Sequence, residues 1–300
     1  MSEKTDVVAI GEVLWDIFDA EAILGGAPFN FAVHCRHLGA RGAIVSRVGR
    51  DELGDDVLAQ ARELGMDAGL IQRDAQHPTG RVRVTFDADD QPKFDICLEA
   101  AYDYLVADPA AVNRVRAADV IYFGSLAQRH RVARRAIAIL LETVDQALIV
   151  CDLNLRPPHY SIEIVRHSLA QCHLLKLNAG ELREVQTMLG PDDLDEDAFL
   201  IHLLRAYDLE MVCVTLGARG CILRTSQERV VAPAYPAEVV DTVGSGDAFA
   251  AALVVEYLAG RPLEEAADFA NLVGAYVATQ RGATPSITPE RLEVFAAQSR

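Results

Sequence analysis

The stretch Asp241-Thr-Val-Gly-Ser-Gly-Asp247, running on into Ala-Phe-Ala-Ala-Ala-Leu253, holds the residue types best suited to chemistry. Gly244 and Gly246 permit backbone conformations that other residues resist. The apolar run after Asp247 predicts a helix. Amides at such a helix start lack acceptors and carry the positive end of the dipole. They form a cradle for a phosphate or a developing anion. Asp247, beside that cradle, could take a proton from a nucleophile. The same residues also suit a tight turn with Asp247 as a helix N-cap, and short glycine motifs recur without function.

The elements that would position these residues follow from periodicity. Short apolar runs predict strands at 6–11, 43–48, 120–123, 147–151, 174–177 and 211–215. Helices are predicted at 51–64, 131–143, 161–170, 179–189 and 195–207, with others starting at Asp247, Pro262 and Pro289. The loop Gly25-Gly-Ala-Pro-Phe-Asn30 leads into a further helix, with Pro28 in its first turn and Gly39 as its stop. This alternation predicts an α/β fold with a mainly parallel sheet between helices. Between 80 and 100 the pattern changes to strict alternation, Arg81-Val-Arg-Val-Thr-Phe86, a turn at 87–92, and Lys93-Phe-Asp-Ile-Cys-Leu98. That reads as an inserted antiparallel ribbon or as an edge hairpin of the main sheet. No linker divides the chain, so a single domain over 1–300 is expected.

Ligands of open parallel sheets sit at the carboxyl ends of strands. Asp16, Asn154, Arg156, Asn178, Glu181, Thr215, Gly217 and Gly220 all fall just after predicted strands. Each alone suits a cap or a turn, and their shared sheet edge is the stronger signal. The chain's net charge of −16 and pI of about 4.9 offer no basic face for nucleic acid. An anionic ligand must then be held by local devices such as helix ends, arginines or a divalent metal. No apolar run approaches the roughly 18 residues of a membrane span. The polar N-terminus shows no signal peptide, and six scattered cysteines read as reduced thiols, so a cytoplasmic setting is expected. There is no G-x-x-x-x-G-K-[ST] and no G-x-G-x-x-G in the first βα turn. Cysteine–histidine pairs lack zinc spacing, and His34, His130, His159 and His167 are read as structural.

Four motifs, in order, carry a family resemblance. Gly25-Gly-Ala-Pro-Phe-Asn30-Phe-Ala and Asp241-Thr-Val-Gly-Ser-Gly-Asp247 resemble the N- and C-terminal signatures of the ribokinase-like (PfkB) sugar kinases. Asn178-Ala-Gly-Glu181 is similar to the family's N-x-x-E motif, and Thr215-Leu-Gly-Ala-Arg-Gly220 to its nucleotide-side turn. The resemblance implies phosphoryl transfer from ATP to a sugar hydroxyl. It implies a three-layer α/β/α fold with a small β lid, here 80–100 with part of 13–24. Asp247 would be the base, and the amides of Gly244, Ser245 and Gly246 the anion hole. Asp16, Gly26 and Asn30 would hold sugar hydroxyls, with Asn154 and Arg156 nearby. Asn178 and Glu181 would organise Mg²⁺ through water. Thr215, Gly217, Gly220 and Asn271 would border the nucleotide. A potassium ion is implied beside the anion hole, near Asp241, Val243, Val277, Gln280, Gly282 and Ser286, though Asp241 also suits a plain turn cap.

The resemblance is strongest to fructokinases, through the Gly-Gly-Ala-Pro-Phe-Asn loop and Asp152-Leu-Asn-Leu-Arg-Pro-Pro158. The second stretch is also similar in 2-keto-3-deoxygluconate kinases, and His159-Tyr160 departs from the commoner fructokinase form. Arg81 and Arg83 leave a sugar-phosphate acceptor open. A non-catalytic sugar sensor and a vitamin kinase are the more distant readings. A homodimer through the lid is expected, because Val82, Val84 and Phe86 need cover on one face.

Overall fold

Strand β1 (Asp6–Ile10) explains the layering. Val7 to Ile10 are all fully buried, which requires cover on both faces of the strand. Val7 and Ala9 join one apolar cluster and Val8 and Ile10 a second, as alternation across a pleat demands. The computed structural model describes residues 4–18, 21–86, 92–191 and 194–299.

After β1 the chain runs through β2 (Leu14–Ile17), β3 (Ala22–Gly25), α1 (Ala27–His37), β4 (Arg41–Gly49), α2 (Glu52–Glu63), β5 (Ile71–Asp74), β6 (Gly80–Phe86) and β7 (Pro92–Ile96). It continues through α3 (Pro109–Arg116), β8 (Val120–Gly124), α4 (Arg131–Glu142), β9 (Leu148–Asp152), α5 (Ile162–Leu169), β10 (Leu174–Asn178), α6 (Ala179–Leu189) and α7 (Glu196–Ala206). The last elements are β11 (Met211–Thr215), β12 (Cys221–Thr225), β13 (Arg229–Ala232), α8 (Ser245–Leu258), α9 (Leu263–Ala278) and α10 (Pro289–Gln298).

The large sheet has the order β13-β12-β11-β10-β9-β8-β1-β4-β5. It is parallel from β5 to β11 and ends in the antiparallel pair β12 and β13. The sequence reading lacked β5, β12 and β13, which are short and half polar, and α3. Chain order reverses at β1, whose neighbours are β4 on one side and β8 on the other. Such a reversal opens a crevice at the carboxyl ends of the strands.

A second sheet has the order β3-β2-β6-β7. The ribbon β6–β7 therefore belongs to a separate small sheet and not to an edge of the large one. β2, within the 13–24 stretch that the resemblance assigned to the lid, lies parallel to β6 and carries Asp16. The turn expected at 87–92 falls on residues 87–91, outside the described residues. Val82 is 5% exposed and Ile96 7%, and both face the crevice. The apolar side of this ribbon is covered there within the chain, which corrects the premise that Val82 lacks a partner. The side chains of Val84 and Phe86 lie outside the described residues.

Helices α1 and α8 are buried on nearly all sides, as helices without a polar stripe must be. They pack together, with α9 on α8. This central pairing brings Asn30 and Asp247 together across 217 residues of sequence. Five of the six cysteines are buried, and all six are free thiols. His34 lies against the carbonyl of Ala283 (2.9 Å), and burial pushes its pKa down to about 4. Among the described residues no helix is long and apolar enough to cross a membrane.

Candidate active site

Helix α8 starts two residues earlier than the sequence reading had it. Gly244 is the N-cap at φ 77°, and any Cβ there would collide with the carbonyl of Ala283. Glycine is therefore obligatory at this turn. Asp247 stands third in the helix and is no cap. Its Oδ2 instead accepts a hydrogen bond from Asn30 Nδ2 at 2.8 Å. The Ser245 amide departs from the expected anion hole, because it donates back to Thr242 O (3.3 Å). The first-turn amides of Gly246 and Asp247 have no acceptor within the helix and carry its positive end.

A cleft of about 360 Å³ opens at this helix start. Of the residues singled out from sequence, Asp16, Gly26, Asn30, Asn154, Arg156, Asn178, Thr215, Val243, Gly244, Gly246 and Asp247 line it. Gly26 has φ 109°, and a Cβ there would stand 2.6 Å from the carbonyl oxygen of Glu12. Asn154 holds a left-handed conformation, φ 43°, which asparagine tolerates better than most residues.

Glu181, Gly217, Gly220 and Asn271 do not line the cleft. Glu181 is 6% exposed and accepts the amides of Leu155 and Asn178, each at 2.8 Å. Asn178 Oδ1 caps the amides of Gly180 and Glu181 in return, completing a capping box at the start of α6. Asn271 Nδ2 donates to Ala232 O (3.3 Å) and Cys221 Sγ (3.4 Å), tying α9 to the sheet edge. Asp241 accepts the amides of Val243 (3.0 Å) and Gly282 (3.1 Å), which clasps the loop before α8 to the loop after α9. The carbonyl of Ser286 already accepts from Tyr276 and Arg291, so it suits a cation less well than the sequence reading supposed.

Two charged residues of the site were missed. Glu12 lines the cleft directly after Gly11. Lys176 lines it from the strand Leu-Leu-Lys-Leu, where a lone lysine amid apolar neighbours was a legible signal. Its Nζ donates to Asp152 Oδ2 at 2.6 Å, and Tyr122 Oη donates to the same oxygen at 3.1 Å. A Cβ on Gly246 would lie 3.4 Å from Lys176 Nζ, so this ammonium sits beneath the start of α8.

Burial governs the electrostatics. It raises Glu12 to about 7, Asp16 to about 6 and Asp247 to about 6. Asp152 raises Asp247 further, while Lys176, Asn30 and Arg156 oppose the rise. Lys176 is held above the ordinary lysine range because Asp152 and Glu181 outweigh its desolvation. Among the described residues no group of three or more His, Cys, Asp or Glu could hold a metal ion. A divalent ion here would rest chiefly on phosphate oxygens and water, which suits magnesium.

A buried carboxyl with an amide cradle beside it, in a partly enclosed cleft, suits phosphoryl transfer. The pfkB family carbohydrate kinase profile matches residues 5–291. The chain is 31% identical to fructokinase-1 of Oryza sativa subsp. japonica, over 96% of each chain. It is similar to the crystal structure of an uncharacterized sugar kinase from Pyrococcus horikoshii in complex with ATP, at TM-score 0.78 and 26% identity, covering 93% of this chain and 95% of that one. It shares its fold with a double-mutant fructokinase from Vibrio cholerae O395 in a form bound to fructose, ADP and potassium ion, at TM-score 0.83 and 22% identity, covering 98% and 99%. The chain belongs to the pfkB family of carbohydrate kinases and is a sugar phosphotransferase with the ribokinase-like fold.

Proposed function

We propose that the chain moves the γ-phosphoryl group of ATP to a hydroxyl of a neutral sugar, in the first instance D-fructose, yielding fructose 6-phosphate. One observation carries the choice of a neutral acceptor. The buried polar atoms at the acceptor end of the cleft are short of donors. Asn30 Oδ1 and Glu12 Oε2 have no hydrogen-bond partner, and Asp16 adds another carboxyl. Sugar hydroxyls supply donors, whereas a sugar acid or a sugar phosphate would bring more negative charge to three carboxyl groups. The likeness to fructokinases of rice and Vibrio supports fructose.

Asp247 takes the hydroxyl proton as the oxygen attacks phosphorus. Asn30 fixes Oδ2, which leaves Oδ1 for the substrate. A folded-state pKa of about 6 keeps the base ionised near neutral pH yet basic enough to accept a proton. The amides at the start of α8 receive the transferring phosphoryl group, and Lys176 adds positive charge beneath them. Asp16, Gly26 and Asn154 hold the sugar, and the small sheet closes over it with Leu14, Val82 and Ile96, excluding water. Thr215, Gly217 and Gly220 border the nucleotide, and Asn271 serves there by holding Ala232 and Cys221. Asn178 and Glu181 stand where the waters of a phosphate-bound Mg²⁺ would fall, and that ion would neutralise phosphate charge. Potassium, seen in the Vibrio structure, would sit near Asp241, Val243, Val277, Gln280 and Gly282. The protein acts in the cytoplasm and pairs through its small sheet; a monomeric mass in solution would refute the pairing.

The second reading is a 2-keto-3-deoxygluconate kinase, and it rests on Arg156, a cation on the cleft wall that could meet a carboxylate. ADP release measured over a panel of sugars and sugar acids separates the two. Fructose should give the highest kcat/KM. A preference for 2-keto-3-deoxygluconate selects the second reading, and no sugar-dependent release with any acceptor rejects both.

A further inference from the structure

Resting on the neutral-sugar reading above, we propose that Glu12 is an acceptor-binding residue whose carboxyl fixes one sugar hydroxyl and so sets which sugars are phosphorylated. Glu12 follows Gly11 at the carboxyl end of β1, where the strand order reverses. Glu12 lines the cleft with Leu14, Asp16, Asn30 and Leu126. It is 3% exposed, and its Oε2 is buried with no hydrogen-bond partner. A buried acceptor without a donor costs free energy in the empty protein. The fold recovers nothing for that cost, since this oxygen caps no helix and bridges no strands. A sugar hydroxyl would recover it once the carboxyl turns this enclosed oxygen into the cleft.

The backbone at Glu12 is held in place: the start of α1 approaches its carbonyl so closely that Gly26 has no room for a Cβ. Glu12 and Asp247 line the same cleft, so an acceptor held by the base also stands before Glu12. A site built around a substrate hydroxyl rejects analogues that lack it, because its polar group is then stranded. The competing role is purely structural. Tyr102 Oη and Arg129 Nη1 are also buried without partners, and Glu12 interacts electrostatically with both residues. A water shared among them would make Glu12 part of the scaffold.

The two roles differ in their response to the substrate. Wild type, Glu12→Ala and the volume-keeping Glu12→Met are assayed on the best neutral sugar and on each of its monodeoxy analogues, at saturating ATP. Melting temperatures establish that the variants fold, and the methionine variant serves where the alanine one does not. The expected result is a rise of about 10- to 100-fold in KM for the parent sugar, with the KM for ATP unchanged. The loss should vanish for one deoxy analogue, the one missing the hydroxyl that Glu12 holds, because effects on contacting partners are not additive. A loss of equal size on every analogue, or an unchanged KM for the parent sugar, overturns the assignment and leaves the kinase reading intact. A wild type that phosphorylates no neutral sugar at all removes the reading and this inference together.

Discussion

The two walls of the cleft differ in how far their buried carboxyls are partnered. On the Lys176 side Asp152 Oδ2 is paired with Lys176 and Tyr122 while its Oδ1 has no partner, and Glu181, raised by burial, accepts two backbone amides. On the Glu12 side Glu12 Oε2 and Asn30 Oδ1 have no partner, and burial raises Glu12, Asp16 and Asp247. Partnered charge keeps its geometry before any ligand arrives, as neutralising a phosphoryl group in transit requires. Unpartnered acceptors cost the empty protein free energy, and in the proposed reading they keep their hydrogen bonds for the sugar. On that reading one wall serves precision and the other recognition, and single substitutions should tell them apart by sign as well as size.

Asp247→Asn should have the largest effect, lowering kcat by about 10²- to 10⁴-fold. Asparagine can still meet Asn30, so direct sugar binding by calorimetry should change only a few-fold. A comparable loss in binding would make Asp247 a holding group and not the base.

Lys176→Met should destabilise the fold by about 3–5 kcal/mol, since it strands the Asp152 carboxylate in the interior. Urea unfolding measures this. Adding Asp152→Leu should restore most of the stability while activity stays low. Activity regained in the double variant would show that the ammonium has no part in phosphoryl transfer.

Glu12→Gln should do the reverse and stabilise the empty protein. The Glu12 pKa is higher folded, about 7, than its ordinary 4.5. The penalty for ionising it is therefore absent below about pH 4.5 and grows until pH 7. The gain at pH 8 should reach about 3 kcal/mol and fade on acidification through that window. A destabilised glutamine variant at pH 8 would erase the contrast between the two walls.

The smallest effect concerns pH. Asp247 must be ionised to accept a proton, so kcat/KM should fall as pH drops through about 6. Asp16 titrates in the same range, which should steepen the fall beyond one proton. In Asp16→Asn the limb should become shallower without moving to higher pH. A limb unaltered in that variant would place Asp16 outside the acceptor site.

Much of this was legible in sequence because it is local. Gly244 announces a turn that only glycine can make, and the alternation of apolar strands with amphipathic helices fixes the layers. Asn178 and Glu181 are three residues apart, which suffices for the capping box they form. The misses are non-local. Asp16 could be placed after β1 by counting, yet nothing nearby says that its strand pairs with Gly80 to Arg83 of β6, Asp16 opposite Val82. Ser245 looked equivalent to its neighbours until its amide turned to Thr242. Glu12 stood one residue past a predicted strand with no motif around it.

By itself the amino-acid sequence determined the alternation of elements, the glycine turn before α8 and the acidic balance that excludes a basic binding face. These depend on backbone sterics, periodicity and composition, which act over a few residues or over none in particular. Only the tertiary structure decided that Asn30 holds Asp247, that Lys176 lies beneath Gly246, and that Glu12 meets the cleft without a partner. Those outcomes depend on which buried groups the packing of α1 and α8 against the reversed sheet brings within hydrogen-bond range, and no short stretch of chain encodes such a distance.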